Sequence, residues 1–171
     1  MNFLRRHWKI VLGIWLVSLL WWGVPRCFDG WQLEHRQEEL LRAIEERSHK
    51  SYAGLISSEY ADDWQFNGEK ITRAMDDVSS QFLTLKIQTA GAQWNKAGSE
   101  AQWSADLTLS GKAVTPLGEL MLGDDARPKA PFIFIWRKEG WGAWTWKLVA
   151  IKNSSLEVPE GYEPGQFSEL R

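Results

Sequence analysis

Two apolar runs near the C-terminus, FIFIW at residues 132–136 and WTWKLVAI at residues 144–151, decide the fold. They flank EGWG at residues 139–142, where glycine supplies the backbone freedom that a turn needs. Aromatic and β-branched residues dominate both runs, as they do in strands. This part of the sequence therefore predicts an antiparallel β-hairpin.

Further strands are expected upstream, where the hydrophobic pattern has a period of two. Leu83, Leu85 and Ile87 alternate with polar residues, and the same alternation returns at residues 103–109. This pattern is typical of half-buried antiparallel strands. Residues 111–131 are rich in glycine and proline, and they predict a long connection with a short apolar piece at residues 117–122.

Three helices are predicted before the first strand. The first begins at Asp29, which can cap it, and carries its leucines on one stripe. The second covers residues 51–64, the Asn67-Gly68 pair breaks the chain, and the third spans residues 69–81. Helices followed by a meander of strands predict an α+β fold with the helices on one face of the sheet.

The segment EYADDW at residues 59–64, the helix after it and the closing GAWTWKLV at residues 142–149 resemble the NTF2-like superfamily, also called SnoaL-like or cystatin-roll. The resemblance covers residues 31–153. It implies a cone in which a curved antiparallel sheet packs on three helices, often around a pocket. Many members dimerise through the sheet, and many have no known chemistry, so the fold does not fix a function.

Aromatic side chains are the candidates for the lining of such a pocket. The five candidate residues are Tyr60, Trp64, Trp103, Trp144 and Trp146. Their rings could surround a small apolar ligand or fill the cone themselves, and we expect that they fill it. Trp94 and Trp141 fall in predicted turns, where an exposed indole is typical of contact with a partner or a membrane surface.

Paired carboxylates are the strongest hint of catalysis. Asp62-Asp63 and Asp76-Asp77 could supply acid–base groups, as carboxylates do in the ketosteroid isomerase, epoxide hydrolase and dehydratase of the resembled superfamily. Adjacent helical residues point about 100° apart, so each pair offers at most one inward carboxylate. We expect capping or solvated acids at these positions. Asp106 lies opposite the apolar face of its strand, and we expect it outside the core.

Other catalytic patterns are missing from the sequence. His35 and His49 lack the spacing of metal ligands and are expected on solvated helix faces. SGKAVT at residues 110–115 lacks the first glycine and the hydroxyl residue of a phosphate loop, and no serine lies in a G-x-S-x-G elbow. We therefore predict no catalytic, cofactor-binding or metal-binding residues and no cofactor.

The N-terminal segment predicts a membrane anchor. Residues 10–25 carry no charge and lie between Lys9 and Arg26. As a helix they would reach about 24 Å, short of the ~30 Å hydrocarbon core, and snorkelling of the two flanking side chains would close the gap. Tryptophans at both ends are typical of the membrane interface, and the basic start is expected to stay cytoplasmic. Residues 8–25 are therefore the predicted bilayer contact.

Two alternatives to a retained anchor use the same segment. A cleaved signal peptide would need small residues at the cleavage site, where the sequence reads WWGVPR at residues 21–26. A lipoprotein would use Cys27, but Pro25 and Arg26 stand where its motif needs small residues. Cys27 is the only cysteine, which excludes an intramolecular disulfide.

Charge and length limit the remaining choices. Of the 20 basic and 22 acidic side chains, four basic and no acidic ones lie in residues 1–28, which leaves the rest at −6. A net acidic surface argues against nucleic acid as the partner. The length and the 44% hydrophobic content fit one folded domain. We predict an anchor at residues 1–28, an NTF2-like domain at 29–155 and a tail at 156–171.

These patterns favour a single-pass membrane protein with a cytoplasmic N-terminus and an extracytoplasmic binding or assembly module, without catalysis. A homodimer through the sheet and a small apolar ligand remain open as partners. The alternative is a small NTF2-like enzyme of isomerase, dehydratase or hydrolase type, whose pocket holds Tyr60 and one acid. A solute-binding domain with an empty apolar cavity is a third hypothesis.

Overall fold

The computed structural model describes Trp15, residues 29–140 and residues 144–168 of the chain. In chain order its elements are helices α1 Asp29–Glu45, α2 His49–Leu55 and α3 Gly68–Ser80, strands β1 Phe82–Ala97 and β2 Glu100–Ala113, helix α4 Pro116–Leu122, a 3₁₀ turn Asp124–Ala126, and strands β3 Phe132–Lys138 and β4 Trp146–Lys152. Three helices precede a meander of strands, which confirms the predicted α+β order.

The predicted anchor at residues 1–28 lies outside the described residues, apart from one position. Trp15 is helical and 68% exposed. Within the part of the chain that the structure describes, no helix combines the length and the apolar character needed to cross a membrane.

The sheet contains four antiparallel strands in the order β1-β2-β3-β4. The β1–β2 pair is the longest, whereas β2 pairs with β3 only from Glu100 to Ala105. A register shift between Phe82 and Thr84 turns Leu83 outward, so that it is 58% exposed although Leu85 is buried. The predicted alternation through Leu83 is therefore wrong, because a bulge adds one residue to the strand there.

The second helix is shorter than predicted. It ends at Leu55, and the prediction of a helix to residue 64 is wrong. The chain instead runs beside β4, where the Ser57 amide donates to the Leu148 carbonyl and the Ala61 amide donates to the Val149 carbonyl. These bonds occupy backbone groups that a longer helix would have paired within itself.

The third helix begins as the sequence predicts. The Asn67 side chain accepts a hydrogen bond from the Lys70 amide, 2.9 Å away, and so caps α3. This bond satisfies one of the free amides at the helix start. The Asn67-Gly68 pair therefore both ends the loop and starts the helix.

The hairpin between β3 and β4 has a longer connection than a tight turn. Lys138 pairs with Trp146, and the Glu139 amide donates to the Thr145 carbonyl. Trp144 has a φ of +67° and stands before the strand, so the prediction that β4 begins at Trp144 is wrong. Its amide donates to the Gln32 side chain of α1, which draws the loop towards the helix. The predicted turn position Trp141 lies outside the described residues.

The inner face of the sheet is filled by side chains. Trp136, Trp146, Tyr52, Phe82 and Leu40 are all fully buried. The Trp136 indole donates to the Gln37 side chain at 2.9 Å, so its polar atom has a partner inside the core. The cone therefore owes its stability to packed rings and helix side chains, as close-packed interiors do.

Candidate binding surface

The five predicted pocket residues are distributed over separate clusters. Tyr60 is buried, donates to the Asp62 carboxylate at 2.9 Å and accepts from the Ile151 amide. Trp64 is half-buried at the surface, and its indole donates to the Leu156 carbonyl. These contacts tie the loop after α2 to β4 and to the segment that follows β4.

Trp103 is the centre of an aromatic row across three strands. Its ring packs edge-on against Phe134 at 5.3 Å between centroids, and Trp94 lies on its other side at 6.5 Å. Trp103 is 6% exposed, whereas Trp94 is 36% exposed. Trp94 lies in β1 and not in a turn, so the predicted turn is wrong, but its indole does reach the surface.

Trp146 lies beneath a charged cluster that fastens the start of α1 to the sheet. Asp29 binds Lys96 Nζ at 2.6 Å and Lys138 Nζ at 2.7 Å, and the Trp146 indole donates to it at 3.4 Å. Both ammonium groups lie within about 6 Å of the Trp146 ring centre. The hydrogen bonds from Lys138 and Lys96 lower the pKa of Asp29 to about 2.

Trp144 is half-buried and belongs to a surface group that we call the aromatic patch: Trp31, His35, Arg36 and Trp144. Trp31 and His35 stack at 5.4 Å with an interplanar angle of 7°, and the Trp144 ring meets both edge-on at 5.3 Å. The Trp31 side chain is 40% exposed, and His35 is exposed. The four-residue spacing of Trp31 and His35 places them on one face of α1.

Arg36 fixes the Trp144 residue of the patch to α1. Its guanidinium lies 5.2 Å from the Trp144 ring centre, donates to the Trp144 carbonyl at 2.7 Å and pairs with Glu39 at 3.0 Å. The loop before β4 is therefore bound to α1 through both the ring and the backbone of one tryptophan. Because the patch is held by these contacts, it presents a fixed surface to any partner.

His49 has a carboxylate partner that sequence spacing did not reveal. Its Nδ1 lies 2.6 Å from Asp76 Oδ2, and the Tyr52 hydroxyl donates to the other oxygen of Asp76. Residues 49 and 76 are brought together only because α2 packs against α3. The expectation of a merely solvated His49 is therefore incomplete, although its side chain is 57% exposed.

An open groove of about 700 Å³ lies next to His49, lined also by Ser57, Asn67, Thr72 and Arg73. None of the five predicted pocket residues lines it. Desolvation by burial and the Asp76 carboxylate raise the pKa of Tyr52. The groove is open to solvent, and its lining mixes polar side chains with Ala53 and Ile56, so it differs from the enclosed apolar site that is usual for a small ligand.

Asp77 is buried, and the expectation of a capping or solvated acid is wrong at this position. The carboxylate is 2% exposed and accepts hydrogen bonds from the Tyr162 hydroxyl and from the amides of Gly165, Phe167 and Ser168. Asp77 therefore binds the segment after β4 to α3. No signal in the sequence linked the two, because they are more than 80 residues apart.

Asp62 does not meet the expectation of a helix-capping or solvated acid either. It is half-buried in the loop before α3, where it accepts from the amides of Trp64 and Phe66, and burial raises its pKa. Burial also raises the pKa of Tyr60. Asp106 is exposed, as predicted. No group of three or more histidine, cysteine, aspartate or glutamate side chains with metal-binding geometry occurs among residues 29–140 and 144–168.

Solved structures share this architecture. An NTF2-like protein of unknown function from Pseudomonas putida superposes with a TM-score of 0.52 over 70% of this chain and 80% of its own, at 11% identity. A protein of unknown function with a cystatin-like fold from Nostoc punctiforme gives 0.52 over 73% and 89%, at 12% identity. Bd1075 from Bdellovibrio bacteriovorus gives 0.54 over 73% of this chain at 11% identity, and the chain spans 40% of its length.

No protein-family model matches the sequence, and no curated protein does. The likeness therefore concerns the fold. Together with the four-stranded antiparallel sheet and the helices packed on it, these similarities show that the described domain has an NTF2-like fold.

Proposed function

We propose that this chain is a membrane-tethered binding or assembly module with an extracytoplasmic NTF2-like domain, and that the aromatic patch is its binding surface. The observation that carries the proposal is an exposed, rigidly held aromatic group on a cone whose interior is already filled. A filled interior leaves the surface as the place for recognition, and exposed tryptophans are enriched where proteins meet partners.

The charged groups inside the fold support binding over catalysis. Asp77 and Asp62 both accept several structural hydrogen bonds, and Asp29 is bound by two lysines. A catalytic acid or base must be able to exchange its proton with a substrate, so it needs a free position within hydrogen-bond reach. Asp77 and Asp29 instead hold distant parts of the chain together, and Asp62 holds the loop from Tyr60 to Phe66.

The tether is tested by membrane extraction of the full chain. We expect the protein to remain in the membrane pellet after alkaline carbonate washing, with an intact mass that includes residues 1–28. Replacing both Leu16 and Leu19 with arginine should release it, because each arginine at a helix centre disfavours insertion by about 2.5–3.5 kcal/mol. Release of the unaltered protein, or a mature mass that begins near residue 27, would overturn the tether.

The orientation is tested separately on intact cells. A tag at the C-terminus should be cut by external protease, while a tag at the N-terminus should be protected, because the basic start is expected on the cytoplasmic side. The reverse pattern contradicts the extracytoplasmic proposal even if the tether holds.

A second function, a small enzyme, is favoured by one observation, the His49–Asp76 pair beside the open groove. The pair has the geometry of a base and the carboxylate that orients it. The discriminating variant is His49→Gln, which removes the base but leaves the aromatic patch unchanged. Loss of a biological activity with retained patch-dependent binding would favour the enzyme.

A further inference from the structure

We infer that the aromatic patch lies in the lipid headgroup layer of the membrane that holds the proposed anchor at residues 1–28, which we call the leader. The domain then docks on the bilayer by a fixed face. This inference rests on the proposed tether, and it adds a specific partner and an orientation. The uncharged segment of the leader ends at Pro25, six positions before Trp31 of the patch.

The chain between the leader and the patch is short. Three residues lie between Pro25 and Asp29, and Trp31 lies in the first turn of α1. The four Cα–Cα steps from Pro25 to Asp29 span at most about 14 Å. The headgroup layer is roughly 5–8 Å thick on each side of the hydrocarbon core. With about 3 Å of helix rise from Asp29 to Trp31, a retained anchor would therefore hold Trp31 within about 17 Å of the apolar boundary, or two to three headgroup thicknesses.

The start of α1 is fastened to the rest of the domain, so the tether limits the orientation of the whole fold. Asp29 binds Lys96 at the end of β1 and Lys138 at the end of β3. The same end of the domain carries Trp144, which is bound to Arg36. The aromatic patch and both lysines therefore share the end of the domain from which the leader departs.

The chemistry of this end fits a lipid interface. Tryptophan combines a large apolar ring with an indole donor, and it is enriched at the boundary between hydrocarbon and headgroups. The three cations Arg36, Lys96 and Lys138 face the two acids Glu39 and Asp29 in direct ion pairs. Glu34, three residues from Trp31 on α1, adds a third acid, so these charges balance, and we expect docking by aromatic partition with only a weak dependence on salt.

The test uses the full chain in lipid nanodiscs, with Cys27→Ser to remove the native thiol. A fluorescent probe is attached at Glu34→Cys, three residues from Trp31 on the same helix, and at Lys112→Cys as the matched control. Both sites are exposed, and Lys112 lies 12 residues along β2 from the patch end, about 40 Å away. Nitroxide on the lipid headgroups then reports the proximity of each probe.

We expect headgroup nitroxide to quench the probe at residue 34 at least about three times more than the probe at residue 112, in 0.1 M and in 0.5 M salt alike, since aromatic partition is not screened. Trp31→Gln should reduce the difference by half or more while the protein stays in the nanodisc. The Trp31 side chain is part of the proposed contact, so this variant is expected to lose docking and keep the tether.

Three outcomes would overturn the inference, and they differ from one another. Equal quenching at both sites in a protein that remains in the disc refutes docking and leaves the tether standing. A protein that does not enter the disc refutes both. If the probe at residue 34 is buried in native membranes but not in discs of pure lipid, the patch binds a protein partner and not the lipid.

Discussion

Replacing Asp77 with alanine is expected to detach the C-terminal segment from α3. The carboxylate accepts from the Tyr162 hydroxyl at 2.8 Å and from the amides of Gly165, Phe167 and Ser168 at 2.8, 3.1 and 2.7 Å. Alanine removes all four acceptor contacts at once and leaves these donors facing a small cavity. The segment then gains by leaving, because its amides can bond to water.

The size of the effect is limited by how strongly the segment docks. A hydrogen bond to a charged group contributes about 1.5–3 kcal/mol, so four independent bonds would contribute roughly 6–12 kcal/mol. The four bonds are not independent, because one local opening of the segment breaks them all. The loss of stability therefore cannot exceed the free energy with which the segment docks. The remaining aromatic docking contact is that of Tyr162 with Phe66. We therefore expect a loss of about 3 kcal/mol in the free energy of unfolding.

Hydrogen exchange and thermal melting measure this loss. At about 1.4 kcal/mol for each factor of ten, the amides of Gly165, Phe167 and Ser168 should exchange about 100-fold faster in Asp77→Ala. The melting temperature should fall by roughly 6–12 °C for a domain of this size. Asp63→Ala is the matched control, because Asp63 is 66% exposed and pairs with Lys152, a contact expected to contribute less than about 1 kcal/mol.

Two results would refute the reasoning. If the three amides exchange within about threefold of the unaltered rate in Asp77→Ala, the carboxylate does not hold the segment. If Asp63→Ala accelerates their exchange as much as Asp77→Ala does, the effect is a general loss of stability and not the loss of a specific attachment.

Three further predictions test other contacts. The pKa of Asp29 is lowered from 3.8 to about 2. Its contribution to the free energy of unfolding, about 1 kcal/mol after solvent screening, is therefore present above pH 4 and lost as the pH falls towards 2. The difference in melting temperature between the unaltered protein and Asp29→Asn should shrink over that range. Gly111→Ala should cost about 3 kcal/mol or more in denaturant unfolding, because φ is +145° and a Cβ there would overlap the Thr84 carbonyl. His49→Gln should change stability by less than about 0.5 kcal/mol in the same assay, since its pairing with Asp76 is largely exposed; a larger loss would mean that the pair holds α2 to α3.

Hydrophobic periodicity predicted the order of the elements because each element obeys its own local period. It failed where a segment finds its hydrogen-bond partners in a distant part of the chain. The segment after Leu55 contains helix-compatible residues, but its amides donate to β4, which is about 90 residues away in the chain. The outward turn of Leu83 also depends on pairing with another strand, because a bulge is a property of two strands together.

The candidate site shows the same division. The sequence predicts Trp144 as a pocket-lining ring, but its position in the patch needs α1 and the loop before β4 to meet. The four-residue spacing of Trp31 and His35 was available in the sequence and would have marked one face of the helix. The pairing of His49 with Asp76 was not available, because no local pattern relates positions 27 residues apart on two different helices.

The use of the acids connects the fold with its proposed function. Asp77 and Asp29 join segments that are 67 or more residues apart, and Trp136 and Trp146 are fully buried in the core. These contacts stabilise the fold, and they support the proposal that recognition takes place at the aromatic patch.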